Sequence, residues 1–167
     1  MFKHILVPVD GSATAALAVD KAIGLARAFS SKVTVVFVID PYPFAGVGSD
    51  FSYGQTEYLN AATAEANAAI KSAREAFEKA SVPVTTSIVE AHAAWRGVVD
   101  AASGIQADLI VMGSHGRSGL EKLVLGSVAQ HVLSHTHLPV LVVREQGHRA
   151  AAWALSPGAA RASADRS

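Results

Sequence analysis

The sequence contains no cysteine, and this absence removes several kinds of chemistry at once. Disulfide bonds, a thiolate nucleophile and cysteine-ligated zinc are all excluded. The composition is typical of a reducing compartment, where disulfides are rare, and we expect a cytoplasmic protein. The first apolar stretch is short and runs straight into Asp10-Gly11-Ser12, so we do not expect a signal peptide.

Neither sign of charge is in excess, since 14 lysines and arginines balance 14 aspartates and glutamates. A balanced chain has no overall field to attract nucleic acid or an anionic membrane, so we expect neither as a partner. No apolar run approaches the roughly 20 residues of a membrane-spanning helix. No basic stripe surrounds Trp95 or Trp153, which we interpret as packing and tail residues rather than stacking platforms for bases.

Three motifs that identify large enzyme classes are also missing. The chain has no Gly-Lys-Ser/Thr phosphate loop, no G-x-G-x-x-G dinucleotide fingerprint and no G-x-S-x-G nucleophile elbow. Phosphate-loop hydrolysis, ordinary dinucleotide binding and serine hydrolase chemistry are therefore disfavoured.

What the sequence does contain is apolar runs that alternate with helical patterns. Half of the 167 residues are hydrophobic, enough for one core, and we expect one domain over residues 1–145. The alternation predicts an α/β fold: a doubly wound, five-stranded parallel sheet flanked by helices, Rossmann-like. The predicted strands are Ile5–Val9, Val33–Ile39, Val84–Val89, Leu109–Met112 and Val140–Val143, and the predicted helices are roughly Ala13–Phe29, Thr56–Lys79, Ala94–Ser103 and Leu123–Ser134.

Two segments differ from this pattern. Pro41–Gly54 mixes aromatic residues with glycine and proline, which is typical of a mobile excursion or of a flap that lays Tyr42, Phe44 or Tyr53 against a ligand ring. Gln146–Ser167 is rich in alanine, glycine and serine, and we expect it to be a disordered tail.

The stretch Gly113–Val128 carries the strongest functional signal. It follows a buried apolar run and places Gly113, Gly116 and Gly126 ahead of a helix start near Ser127. Glycine lets backbone come close to a ligand, and the free N–H groups of a helix start attract anions. Each charge-assisted hydrogen bond contributes roughly 1.5–3 kcal/mol, so several could hold a polyphosphate without a lysine.

Other polar groups follow the neighbouring strand ends. If the first and fourth strands are adjacent, their ends face one crevice. Asp10 then has two candidate roles, as acceptor for a base amino group or ribose hydroxyl and as cap of the first helix, a role that Ser12 can also fill. Backbone near Val38 offers hydrogen bonds to a purine edge, and Ser127 offers its hydroxyl and N–H to a terminal phosphate.

The spacing of Gly113, Gly116 and Gly126 with Ser127 resembles the ATP-binding branch of the universal stress proteins. The stretches HILVPVDGS, FVID, ADLIVMGSHGRSGL, LGSVAQHVL and PVLVVR extend the resemblance over Met1–Arg144.

The resemblance implies an adenine nucleotide alpha hydrolase-like fold that binds ATP, with Mg²⁺ or Mn²⁺. It also implies a homodimer paired through the strand Pro139–Arg144. In that family the aspartate and the second-strand valine flank adenine, and the motif glycines and serine hold ribose and phosphates. The candidate ligand-binding residues are Val9, Asp10, Val38, Met112, Gly113, His115, Gly116, Arg117, Gly126, Ser127 and Val128.

Several residues keep more than one interpretation. The family's glycine turn after the third strand is missing from Glu90–Gly97, so His92 and Trp95 either line the crevice or simply pack. His115 is a phosphate contact, a phosphorylation site or a bystander, and Arg117 steers phosphates or is a solvated loop charge. His131, His135 and His137 lack a partnering HExxH glutamate, and we interpret them as structural or solvent-facing rather than as metal ligands.

These observations favour an ATP-binding stress-response protein that acts as a nucleotide-occupied homodimer with little or no hydrolysis. The sequence offers no evident general base, phosphate-loop lysine or finger arginine. A nucleotide-free interaction module and an adenylyl-transferring or pyrophosphatase-like enzyme stay open. We expect Gly116→Val and Gly126→Val to abolish nucleotide binding and leave the fold intact.

Overall fold

The protein alternates strands and helices along the chain. The computed structural model describes residues 1–41, 49–116 and 125–145. The elements are β1 (His4–Pro8), α1 (Ala13–Phe29), β2 (Lys32–Ile39), α2 (Ser49–Lys79), β3 (Val84–Glu90), α3 (Ala94–Gly104), β4 (Leu109–Gly113), α4 (Ser127–His135) and β5 (Val140–Val143).

The five strands form one parallel sheet in the order β3-β2-β1-β4-β5, which confirms the predicted fold class. β1 pairs with β2 on one side and with β4 on the other, where Ile5 lies opposite Leu109. The chain therefore winds outward from β1 to β3 and then in the opposite direction from β4 to β5. Such a reversal opens a crevice at the carboxyl ends of the two central strands.

Helices cover both faces of the sheet. On one face α1 and α2 bury Ile5 and Val35 together with Phe77, and on the other α3 and α4 bury Leu6 and Ile110. Strands buried on both faces need apolar side chains at every position rather than at alternate ones. This is why β4 and most of β1 and β2 are apolar in the sequence, with the buried His4 and Thr34 as polar exceptions that hydrogen-bond each other.

The structure corrects two predicted helix starts. α2 begins at Ser49 rather than Thr56, so Ser49–Gly54 is the first part of this helix. Serine and aspartate favour helix starts, which is consistent with a start at Ser49-Asp50. The remaining residues of the segment Pro41–Gly54, 42–48, lie outside the described residues, as does the predicted tail.

The second correction concerns α4, which begins at Ser127, the start that the glycine motif predicts, rather than at Leu123, the start that the apolar pattern predicts. Leu125 and Gly126 are not helical, and Gly126 has extended backbone with φ −62° and ψ 153°. The apolar residues ahead of Gly126 continue the helical pattern in the sequence. The backbone instead stays extended at Gly126, where its N–H donates to the Ser114 carbonyl at 2.8 Å.

None of the helices in the described ranges is both long enough and apolar enough to cross a bilayer.

His4 is a buried histidine at the start of β1. Its Nε2 lies 2.8 Å from Thr34 Oγ1, which lies 2.9 Å from Thr85 Oγ1. Burial and the nearby Lys32 lower the pKa of His4 below its usual 6.5, against the opposing effects of a hydrogen bond to the Ile105 backbone and of Asp108. The folded state therefore takes up a proton here less readily than the unfolded chain does.

This difference predicts that acid destabilises the fold through His4. The contribution of His4 to the free energy of unfolding is fully present above the unfolded-state pKa of about 6.5. It is lost progressively as pH falls from there towards the lower folded-state pKa. Denaturant unfolding of the wild type and His4→Gln at about pH 7.5 and about pH 5 measures the effect, and the variant should lose less stability than the wild type. An equal loss in both proteins would contradict the assignment.

Candidate functional site

A cavity of about 370 Å³ opens at the carboxyl ends of β1 and β4. The side towards β2 is apolar, with Val36 and Val38 from that strand and Val98 from α3. The side towards β4 is made largely of backbone and small residues, Gly113–Gly116 and Gly126–Ala129. One cavity therefore combines an apolar wall with a wall formed by a glycine-containing loop and the N-terminus of α4.

Ten of the eleven candidate residues from the sequence line this cavity. They are Val9, Asp10, Val38, Met112, Gly113, His115, Gly116, Gly126, Ser127 and Val128. The eleventh, Arg117, lies outside the described residues.

Asp10 sits in the turn between β1 and α1. Its Oδ1 accepts a hydrogen bond from the Ser12 N–H at 2.9 Å, while Ser12 itself caps the helix, its Oγ accepting from the Ala15 N–H at 3.2 Å. Asp10 is thus not the helix cap. Its Oδ2 faces Gly116, where a Cβ atom would stand 3.0 Å away. The turn needs glycine between the two polar residues, because Gly11 has a φ of +80°.

The loop after β4 is fixed from three directions. The Ser114 N–H donates to the Val143 carbonyl at 2.8 Å, and the Gly126 N–H donates to the Ser114 carbonyl at 2.8 Å. From α1, the Thr14 hydroxyl donates to the His115 carbonyl at 2.5 Å. The backbone that faces the cavity is therefore held in place by α1, β5 and the start of α4.

The N-terminus of α4 points its free N–H groups at the same loop. Its N-cap is Gly126, which has no side chain to accept from them. The first N–H groups of a helix have no partner within the helix, and the helix dipole adds partial positive charge there. Ser127 and Val128 therefore offer an anion site on the cavity wall.

His115 carries a buried nitrogen that needs a partner. Its Nδ1 lies 2.9 Å from Ser114 Oγ. Its Nε2 is buried and, among the described residues, is the one buried side-chain nitrogen or oxygen with no hydrogen-bond partner. Buried polar groups are nearly always paired, so this nitrogen lacks a partner that it would be expected to have.

Gly116 and Gly126 differ in what a side chain would meet. At Gly116 the nearest atom to an added Cβ is Asp10 Oδ2 at 3.0 Å, the end of a side chain. At Gly126 it is the Ser114 carbonyl oxygen at 2.9 Å, with His115 Cα at 3.3 Å. Gly126→Val is therefore expected to disturb this loop as well as nucleotide binding, because fixed backbone would have to move.

Trp95 packs outside the cavity against the histidines of α4. Its ring centroid lies 4.3 Å from that of His135 and 5.7 Å from that of His131, with Arg96 above the indole at 5.3 Å. The two histidine Nδ1 atoms hydrogen-bond to carbonyls one helical turn earlier, at 2.7 and 2.8 Å. Of the two roles left open for Trp95, packing is the one the structure supports.

His92 lies near Asp40, with 3.7 Å between Nδ1 and Oδ1, and does not line the cavity. Within the described ranges, no group of three or more histidine, aspartate and glutamate side chains could hold a metal ion.

The sequence reasoning missed several residues of this site. Ser114 lies inside the glycine motif, and its hydroxyl group could have indicated a polar residue of the site. The sequence around Thr14 and Ala94 gives no sign that they belong to the site. Thr14 acts through its hydrogen bond to the distant His115 carbonyl, and Ala94 is an ordinary residue of the first turn of α3. Val98 lies on the apolar face of an amphipathic helix, and the sequence pattern of such a face predicts only a residue of the hydrophobic core.

Comparison with known proteins gives one family. Its model, that of the universal stress protein family, matches residues 1–144. A universal stress protein of Methanocaldococcus jannaschii is 36% identical over 145 residues, which cover 87% of this chain and 84% of that protein. The solved structure of a second protein of that archaeon has a TM-score of 0.76 at 29% identity and covers 88% of this chain and 99% of its own.

Two more distant solved structures share the fold. A universal stress protein in complex with cAMP is 24% identical with a TM-score of 0.60, covering 86% of this chain and 97% of its own. One from Archaeoglobus fulgidus in complex with dAMP is 21% identical with a TM-score of 0.57, covering 85% of this chain and 98% of its own.

Proposed function

Since the chain belongs to the universal stress protein family, we propose that it binds ATP in the cavity between β1 and β4 and acts as a nucleotide-occupied homodimer in the stress response. The observation that carries this proposal is the cavity itself, in which an apolar wall faces a glycine-containing loop and the N-terminus of α4. Residues 1–145 would form the nucleotide-binding domain. A cytoplasmic location is part of the proposal and agrees with the lack of cysteine.

The apolar side of the cavity suits the base. The Val36 carbonyl accepts from the Val9 N–H at 2.9 Å, so the polar backbone groups of Val36 point towards β1. Val38 lies two residues after Val36 in the same strand, so its N–H and C=O point to the same side of β2. There they lie beyond the end of β1. One donor and one acceptor side by side match the edge of adenine, and the Asp10 carboxylate would accept from a ribose hydroxyl or the base amino group.

The opposite side suits the phosphates. The N–H groups at Gly116, Ser127 and Val128 would donate to phosphate oxygens, helped by the dipole of α4. His115 Nε2 would gain the partner that it lacks. Glycine at 116 leaves room for this approach.

The metal would arrive with the nucleotide. Because the described side chains contain no three-ligand group, the triphosphate oxygens would supply most ligands to Mg²⁺ or Mn²⁺, which keeps several waters in such sites. The ion would offset the negative charge of the triphosphate.

We propose binding rather than rapid hydrolysis. The titratable side chains among the described lining residues are Asp10 and His115, and none is a lysine or arginine. Fast phosphoryl transfer needs fixed positive charge against the developing negative charge. A bound nucleotide would instead stabilise one conformation of the protein.

The direct test is to denature the purified protein, identify any released small molecule by mass spectrometry, and measure thermal unfolding with and without Mg-ATP. ATP at about 100 times its Kd should add about 2.7 kcal/mol of stability. Absence of released adenine nucleotide together with no thermal shift would reject ATP binding and favour the nucleotide-free interaction module. Release of AMP or pyrophosphate over time would indicate the enzyme alternative.

The proposed dimer surface is the edge formed by β5. Among the described strands this one ends the sheet, so one of its sides has no neighbour within that part of the chain. Leu141 on β5 is 39% exposed and Leu133 on α4 is 44% exposed. Pairing of Pro139–Arg144 with the same strand of a second copy would satisfy the edge and cover apolar surface.

Leu141→Glu is accordingly expected to convert the dimer to a monomer. The new carboxylates would meet across the two-fold axis and would lose water on association. Sedimentation velocity of the wild type and the variant measures the change. Leu17→Glu, at a leucine of α1 that is 36% exposed, is the matched control and should stay dimeric. A dimeric Leu141→Glu would exclude this edge as the interface.

A further inference from the structure

α3 approaches β2 more closely at Gly97 than any other residue type would allow. A Cβ atom added to Gly97 would stand 2.7 Å and 2.9 Å from the two methyl groups of Val38, and 3.2 Å from the Cβ of Ala91. Carbon atoms make favourable contact at about 3.5–4.0 Å, so the first two distances are overlaps. Gly97 is buried, and the space beside it is already filled by Val38.

This contact holds one wall of the cavity. Val38 lines the cavity, and so do Ala94 and Val98, which lie three residues before and one residue after Gly97 on α3. A glycine inside a helix costs about 1 kcal/mol relative to alanine. The close packing of helix on strand gives a reason for glycine at this place.

We infer that Gly97 is a positioning residue for the base: it allows α3 to lie against Val38 and so sets the width of the apolar half of the cavity. The inference rests on the proposed nucleotide binding. Two heavy atoms on its Cβ restrict χ1 of valine, so Val38 has little freedom to turn away from an intruding methyl group. A side chain at residue 97 would therefore push Val38 into the cavity or move α3 outward, and either change would disturb the base and spare the phosphate wall.

The experiment compares Gly97→Ala, Val38→Ala and the double variant with the wild type. Titration calorimetry with ATP and with inorganic tripolyphosphate, both in Mg²⁺, separates base binding from phosphate binding. Gly104→Ala is the matched control, since it makes the same change in the same helix where nothing lies within 4 Å.

Gly97→Ala should weaken ATP binding about tenfold, within the range for coupled neighbours, and leave tripolyphosphate binding unchanged. In the Val38→Ala background the same substitution should have little effect, because the methyl groups it would strike are gone. If Gly97→Ala alone does not fold, recovery of folding in the double variant supports the contact, and comparison of the double variant with Val38→Ala decides its effect on ATP.

Three outcomes would overturn the inference: unchanged ATP affinity in Gly97→Ala, an equal loss for tripolyphosphate, or the same loss with and without Val38. Failure of the wild type and Gly104→Ala to bind ATP would be a failure of the proposed function, which is a different result.

Discussion

Gly116→Val is expected to weaken ATP binding about a hundredfold and to leave the thermal unfolding midpoint unchanged. The valine would cover the N–H groups that are proposed to hold the phosphates. Loss of one or two charge-assisted hydrogen bonds, each of roughly 1.5–3 kcal/mol, corresponds to a change of this size. The fold should tolerate the substitution because Gly116 is exposed and the nearest described atom to an added Cβ is the end of the Asp10 side chain at 3.0 Å.

Calorimetric titration with Mg-ATP and a thermal melt of the free protein measure both halves of this result. Gly104→Val, at an open position on α3, is the control and should keep its affinity. Gly126→Val should behave differently from Gly116→Val and lower the melting midpoint as well, because its side chain meets the Ser114 carbonyl. Unchanged affinity in Gly116→Val would remove this loop from the binding site.

Gly113→Ala is expected to lower the free energy of unfolding by about 3 kcal/mol, the upper end for overpacking a core. The added Cβ would stand 2.7 Å from Thr14 Oγ1, 2.8 Å from the Thr14 carbonyl carbon and 3.0 Å from the Ala15 nitrogen. Two of these atoms are backbone in the first turn of α1, which cannot rotate away. The substitution would also strain the hydrogen bond from Thr14 to the His115 carbonyl.

Equilibrium denaturation of Gly113→Ala and Gly24→Ala provides the comparison. Gly24 lies within α1 with nothing within 4 Å of its added Cβ, so alanine there should stabilise the protein by up to about 1 kcal/mol through helix propensity. If both substitutions had the same sign, the close approach of α1 to the end of β4 would not be a feature of the folded protein.

The sheet could be predicted from the sequence because burial on both faces leaves a direct mark. β4 is apolar up to Gly113 and β2 is apolar apart from Lys32 and Thr34, and their spacing with helical patterns allows few topologies. The proximity of Asp10 and Gly113 could also be predicted from the sequence, because parallel strands place their carboxyl ends at the same edge of the sheet.

Other features could not be predicted because they depend on how elements approach each other. The sequence near Gly97 does not indicate that it packs against Val38. The sequence near Thr14 likewise does not indicate its hydrogen bond to the His115 carbonyl. The start of α2 at Ser49 could not be predicted because the aromatic and glycine-rich composition of this segment is typical of a loop, although Ser49 and Asp50 favour a helix start. The unpaired Nε2 of His115 is a property of the folded loop and cannot be predicted from the composition of the sequence.

The central claim is that main-chain N–H groups at the end of β4 and the start of α4 hold the phosphates. The most direct measurement is a ¹H–¹⁵N NMR titration of the labelled protein with Mg-ATP. The account predicts that the amides of Gly116, Ser127 and Val128 shift most and saturate together. If these amides stay in place at saturating ATP while those of Ala68 and Ala69, in the separate groove between α1 and α2, shift instead, the claim is contradicted.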